Sequence, residues 1–241
     1  MRPAAGIIPA RYGATRFPGK PLALIAGKSL IQRVYERARK AELLQQLIIA
    51  TDDDRIFSAA KAFGADVRMT SPAHRSGTER AAEVAEGLDA PIIINIQGDE
   101  PLLQGQMIDD LVRVLQDSGI SMATLAAKVT DMDKIHDKDI VKVVTDIRGN
   151  ALYFSRSPVP SRSAGYFHQH IGIYGYQKDF LMKFRDLPVS RLEVSEGLEQ
   201  LRALENGFQI KIIPTHFQAL SVDTPQDIIA VEEYIRTCTD G

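Results

Sequence analysis

Alternation is the feature that most constrains this chain. Short apolar runs at residues 7–9, 47–50 and 91–96 are bounded by polar or turn residues, the pattern of strands buried on both faces. Helical periods lie between them. Leu30, Val34 and Ala38 recur at i, i+4 and i+8, and Ser29 with Gln32 has the spacing of a capping box that would start this helix. Residues 56–63 read as a second helix, ended by Gly64, and residues 65–69 as another strand. Ser76, Gly77, Thr78 and Glu79 open a third helix running to about Leu88, and Ile108, Leu111, Val112 and Leu115 mark a fourth after the Pro101 turn. This order predicts an α/β fold with a mainly parallel, Rossmann-type sheet and right-handed crossovers.

After residue 120 the pattern changes. Residues 122–129, 140–146, 151–155 and 171–176 are strand-like with few helices between them, which predicts an antiparallel extension or smaller lobe. Pro158, Pro160, Ser161, Ser163 and Gly165 form a loop rather than a linker between independent domains. Helices return at about 191–206 and 225–236, flanking a strand at 209–213. At 241 residues the chain has the size of one α/β domain. We expect a larger part over about 1–120 and 207–241, and a smaller lobe over about 121–206.

Lys and Arg number 29 and Asp and Glu 31, so no global field draws nucleic acid or an anionic membrane. Any anion must be captured by a local cluster, and the expected partner is small. A single cysteine, Cys238, precludes an intrachain disulfide and fits a reducing, cytoplasmic compartment. No signal-like start and no 18-residue apolar run appears, so we expect no membrane insertion.

A local cluster does follow the first strand. After Pro9 and Ala10 come Arg11, Arg16 and Lys20, three cations able to meet a polyanion from several directions, with Gly13 and Gly19 allowing close backbone approach. Ligands of α/β sheets sit at such strand ends. Neither the Walker spacing nor Gly-x-Gly-x-x-Gly is present. Gln97, Gly98, Asp99 and Glu100 end a second buried strand, which should aim Asp99 at the first loop; Asp223 precedes the last helix. Two carboxylates suit Mg²⁺, which fills its other positions with phosphate oxygens and water. Equally, Asp99 could stabilise a turn and Asp223 cap a helix. The run Asp52, Asp53 and Asp54 reads as a helix start, where negative charge is favoured. In the segment from His74 to Arg80, Ser76 and Glu79 fit a capping box, while Gly77 and the hydroxyls could also read the edge of a base. His168 and His170 lack the company a zinc site needs, and His170 reads as a hydrogen-bonding group.

Taken in order, these segments resemble the 3-deoxy-manno-octulosonate (Kdo) cytidylyltransferase family, the CMP-Kdo synthetases, almost end to end. The carriers are Ile8-Pro9-Ala10-Arg11-Tyr12 with Arg16-Phe17-Pro18-Gly19-Lys20-Pro21, then His74 with Ser76-Gly77-Thr78-Glu79-Arg80, and Gln97-Gly98-Asp99-Glu100-Pro101. Later come Tyr153-Phe154-Ser155-Arg156, His170-Ile171-Gly172-Ile173-Tyr174-Gly175-Tyr176, Leu198-Glu199-Gln200-Leu201-Arg202 and Val222-Asp223-Thr224-Pro225.

The resemblance implies a nucleotidyltransferase-like homodimer that uses CTP and Mg²⁺ to make CMP-Kdo and pyrophosphate. It implies that Arg11, Arg16 and Lys20 hold the triphosphate, with Pro9, Ala10 and Gln97 beside it. It further implies that Ser76, Gly77, Thr78 and Arg80 help recognise cytosine and that Asp99 and Asp223 bind metal. Gln97, Arg156, His170, Tyr174, Glu199 and Gln200 would face the acidic sugar. The alternatives are CMP transfer to another acidic sugar, such as a sialic acid or an amino analogue of Kdo, a transferase using another nucleotide, and a non-catalytic nucleotide-binding module.

Overall fold

The computed structural model describes residues 1–13, 17–162, 165–217 and 220–239. Strand β1 (Ala4–Ala10) leads through a short hairpin, β2 (Leu24–Ile25) and β3 (Lys28–Ser29), into helix α1 (Leu30–Ala38). Strand β4 (Gln46–Thr51), helix α2 (Asp54–Ala62), strand β5 (Asp66–Met69), helix α3 (Gly77–Glu86), strand β6 (Ile92–Asn95) and helix α4 (Gly105–Val114) follow. Then come β7 (Met122–Val129), the hairpin β8 (Lys142–Thr145) and β9 (Ala151–Ser155), and β10 (Phe167–Gln177). The chain ends with α5 (Lys178–Asp186), α6 (Arg191–Glu196), α7 (Leu201–Glu205), β11 (Lys211–Thr215) and α8 (Pro225–Thr239).

The main sheet runs β11-β7-β10-β6-β1-β4-β5. Strand β10 is antiparallel to both of its neighbours, and all other pairs along this path are parallel. Off the path, β8 pairs with β10 and β9 with β8, both antiparallel. The expected parallel sheet with an antiparallel extension is therefore present. Adjacent isoleucines explain the unbroken apolar runs. Ile8, Ile49 and Ile94 pack on one face against α1, α2, α4 and α8, while Ile7, Ile48 and Ile93 pack on the other against α3, α5 and α7. Successive strand side chains point to opposite faces, so a sheet covered on both sides needs apolar residues without alternation. Each of these six isoleucines is fully buried, and each such burial stabilises the fold by about 1.5–3 kcal/mol.

Four local expectations need correction. The helix expected over 191–206 is two short ones, α6 and α7, because Gly197 takes a left-handed turn at φ 64° and ends the first. Helix α5 was not expected. It starts at Lys178, where β10 ends, and Phe180, Leu181 and Phe184 turn into the core. Strand β10 begins at Phe167 rather than 171, since residues 167–171 continue the ladder with β7. At the start of α1 only half a capping box forms: Ser29 accepts from Gln32 N, but the Gln32 side chain donates to Glu36.

Candidate active site

The carboxyl ends of β1 and β6 are adjacent in the sheet, and the loops leaving them are held together by backbone bonds. Gly19 N donates to Tyr12 O at 2.9 Å, folding the first loop back so that Lys20 opens a 3-10 turn. Asp99 O accepts from Val222 N, also at 2.9 Å, which brings the segment before α8 to the same edge. Glycine eases the closure of these pieces. A Cβ on Gly98 would stand 3.0 Å from the Pro9 carbonyl oxygen, a tight contact that the 97–100 turn could accept only by moving slightly away from β1.

Lys20 lies between the two aspartates. Its Nζ donates to Asp99 Oδ2 at 2.9 Å and to Asp223 Oδ1 at 3.3 Å, with the lysine side chain only 15% exposed. Asp227 holds the segment ahead of α8, its Oδ2 accepting from Asp223 N, Thr224 N and Thr224 Oγ1, and the Asp223 carboxylate meets Lys20. The negative charge here has a further sign: desolvation, with the Asp99 and Asp223 charges adding to it, pushes the neighbouring Glu100 carboxyl up to about 8. Two hard oxygen donors meeting at a point that already holds a cation fit a divalent ion. Among the described residues no group of three or more His, Cys, Asp or Glu side chains is arranged to hold one, so the other ligands would come from phosphate and water.

A cavity of about 350 Å³ opens at this edge, a size suited to a small molecule. Of the residues expected to meet nucleotide, Pro9, Ala10, Arg11, Lys20, Ser76, Gly77, Arg80, Gln97 and Asp99 line it, together with Asp223. Arg16 lies outside the described residues. Thr78 is not on the lining: its hydroxyl donates to Glu199 Oε2 at 2.5 Å and accepts from Asn95 Nδ2 at 3.3 Å. The buried Arg80 guanidinium is tied to Thr70 Oγ1 and, at 2.9 Å, to Asp52. Asp52 is thus a partly exposed counter-ion to a buried guanidinium, whereas Asp53 caps α2 as expected from a helix start. At α3 the capping box is displaced by one residue: Ser76 accepts from Glu79 N, but the Glu79 carboxylate takes Arg75 N at 2.8 Å. His74, Phe17 and Pro21 also line the cavity, and Glu83 holds the His74 ring through Nε2 and takes Ser71 N at 3.0 Å.

Of the residues expected to meet sugar, Gln97 lines the cavity and reaches β10, where a Cβ on Gly172 would lie 3.5 Å from its Cγ. His170 and Tyr174 stand together on β10 with the Glu199 charge near the Tyr174 phenol, and Arg156 lies at the exit of β9. The register of β10 against β7 shifts between Ile171 and Tyr174, a bulge of the kind that re-aims side chains beside sites. Thr124 Oγ1 lies within this bulge, 2.7 Å from Ile173 O and 3.0 Å from His170 Nε2. The His170 ring stands edge-on to Phe154 and 5.3 Å from the Tyr174 ring. Burial lowers the His170 imidazole to about 3 and raises the Tyr174 phenol, so both are neutral near pH 7. Gln200 is 5% exposed with no partner for Nε2 among the described residues, and Asn95 Oδ1 is likewise buried without one. Arg156 donates through Nε to Glu196 O at 3.0 Å and through Nη1 to Lys138 O at 2.9 Å.

Sequence reasoning missed the struts of this region. Lys142 is fully buried and donates to the carbonyls of Asp137, Ile140 and Arg156 at 2.6–2.8 Å. A lysine inside a strand pattern carries no signal that it will be enclosed. Glu196 was hidden in the same way, as one charge on an expected surface helix.

Comparison with known proteins places the chain. Residues 5–212 match the family model described as cytidylyltransferase. A 3-deoxy-manno-octulosonate cytidylyltransferase from Solibacter usitatus is 52% identical over 241 residues, covering 98% of this chain and 95% of its own. The chain belongs to the 3-deoxy-manno-octulosonate cytidylyltransferase family. A cytidylyltransferase of the same description from Thermodesulfovibrio yellowstonii is 45% identical, covering 96% of this chain and 97% of its own. Among solved structures, a CMP:2-keto-3-deoxy-manno-octonic acid synthetase complexed with CTP superposes with a TM-score of 0.92 at 39% identity, over 98% of this chain and 99% of that one. A more distant likeness, to 4-diphosphocytidyl-2C-methyl-D-erythritol synthase from Anaerococcus prevotii, has a TM-score of 0.65 at 14% identity over 98% and 96% of the two chains, and speaks for the cytidylyltransferase fold alone.

Proposed function

We propose that this protein transfers CMP from CTP to the anomeric hydroxyl of Kdo, releasing pyrophosphate and giving CMP-Kdo for lipopolysaccharide synthesis. The observation that carries this reading is the Lys20 ammonium between Asp99 and Asp223 at the mouth of a cavity lined by Arg11, Ser76 and Gln97. The physical difficulty is like charge: a triphosphate and an acidic sugar must approach one another. Arg11, Arg16 and Lys20 are assigned to the phosphates, Lys20 meeting the charge that develops on departing pyrophosphate. Asp99 and Asp223 would hold Mg²⁺, which when bound orients the phosphates and polarises the α-phosphoryl group. Pro9, Ala10, Gln97 and the Ser76–Arg80 segment are assigned to the nucleotide, with Thr78 and Arg80 acting through Glu199 and Asp52.

On the sugar side, Gln97, His170, Tyr174, Glu199 and Gln200 are assigned to the acceptor. A neutral His170 offers a hydrogen bond and no charge, so the acceptor carboxylate falls to Arg156, whose Nη2 makes no hydrogen bond to a described residue. Gln200 Nε2 and Asn95 Oδ1, buried and without a partner among the described residues, would find partners in sugar hydroxyls or ordered water. A cytoplasmic homodimer belongs to the same proposal. No helix among the described residues is long and apolar enough to cross a membrane.

Pyrophosphate release from a panel of nucleoside triphosphates crossed with Kdo, its amino analogue and a sialic acid tests the assignment. We expect CTP with Kdo to dominate. Equal rates with a sialic acid would move the reading to another acidic sugar, and nucleotide binding without turnover on any acceptor would refute an enzyme.

A further inference from the structure

We infer that Glu196 is the positioning residue of the acceptor half of the site: it locks the exit of β9, which carries Arg156, to the turn that carries Glu199 and Gln200. This rests on the assignment of those residues to the sugar. One carboxylate makes the joint. Its Oε1 accepts from Tyr153 OH at 3.2 Å and Ser155 Oγ at 3.1 Å, and its Oε2 accepts from Arg156 N at 2.9 Å. The carbonyl of the same residue takes Arg156 Nε at 3.0 Å, which fixes the direction of the guanidinium. Four bonds from one residue therefore reach a single four-residue stretch.

Glu196 is also the last residue of α6, and Gly197 turns the chain left-handed immediately after it. Two residues separate Glu196 from Glu199, whose carboxylate is held by Thr78 at the head of α3. Two segments tied by this carboxylate thus present the groups assigned to one ligand. Charge-assisted hydrogen bonds are short and directional, and displacement of a binding group by about 1 Å can cost on the order of a hundredfold in rate. A brace serving only stability would affect both substrates alike; a positioning residue separates them.

The test compares wild type with Glu196→Ala and Glu196→Gln in the full-length protein. In steady-state pyrophosphate release with Mg²⁺, Glu196→Ala should raise the acceptor KM by about tenfold or more while the CTP KM stays within about twofold. Glu196→Gln, which keeps the shape and one acceptor oxygen, should show the same split at smaller amplitude. Hydrogen exchange on the ligand-free proteins should quicken at 153–157 and 197–200 together, with 4–10 and 92–95 unchanged. Parallel rises in both KM values, or faster exchange at the joint with an unchanged acceptor KM, would overturn the inference. Failure of the wild type to turn over any acidic sugar would instead sink the assignment of function, and the exchange data would still report whether the joint exists.

Discussion

Lys20 links the two aspartates that the sequence offered as a pair of oxygen donors. Their separation of 124 positions is closed by a loop cation and by the bond from Val222 N to Asp99 O. Because the lysine is a single preorganised donor, Lys20→Ala should lower turnover by about 10²–10³ while thermal stability changes little; a loss of folding in circular dichroism would make the loop structural. His170 gives a pH prediction. Its ordinary value is about 6.5 and burial lowers it to about 3. Between those values the unfolded chain binds a proton that the folded chain does not, so stability is unaffected above about pH 6.5 and falls as pH drops through the window. Denaturant titrations from pH 7 to 4 should show a shallower decline in His170→Gln, and an unchanged slope would place a charged imidazole in the folded protein. At this scale the sequence was legible wherever a residue had a chemical reason to be present. Asp99 and Asp223 were readable as paired oxygen donors, but the inward bonds of Thr78 and Arg80 were not, because hydrogen-bond partners depend on elements far apart in the chain.

Helices and strands were more legible than their joints. The runs at 7–9, 47–50 and 91–96 became β1, β4 and β6 because burial on both faces leaves a simple signature, and Ser76 began α3 by capping it. Helix α5 escaped because it starts directly from β10 with no loop to announce it, and Gly197 divided an apparently continuous helix at a point set by backbone handedness. Close approaches were equally invisible. A Cβ on Gly105 would lie 2.6–2.7 Å from backbone atoms of Lys40 and Ala41, where Asp109 of α4 also accepts from the amides of Glu42 and Leu43. Helix propensity alone would make Gly105→Ala stabilising by up to about 1 kcal/mol. Backbone cannot yield as a side chain does, so we expect a net loss of about 1–3 kcal/mol in chemical denaturation. Gly175→Ala, which meets the side-chain end of Leu115 rather than backbone, should cost less. The reverse order would contradict the packing of α4 on the turn after α1.

For the whole molecule, the near balance of charge and the local basic loop agree with a protein that meets small anions at one edge. In the part of the chain after residue 120, β7 and β10 lie inside the main sheet. Exposed apolar side chains in that part of the chain include Ile147 and Leu152 on the β8–β9 hairpin, and the proposed homodimer would pair through them. Light scattering should give twice the chain mass, and Leu152→Glu should shift it toward the monomer; a monomeric wild type at micromolar concentration would refute the pairing. The central claim concerns the carboxylate pair at the sheet edge. Turnover of CTP and Kdo at saturating Mg²⁺, compared between wild type and Asp99→Asn with Asp223→Asn, tests it most directly. We predict a loss of at least about a hundredfold with the fold intact, and near-normal turnover in the doubly substituted protein would contradict the account.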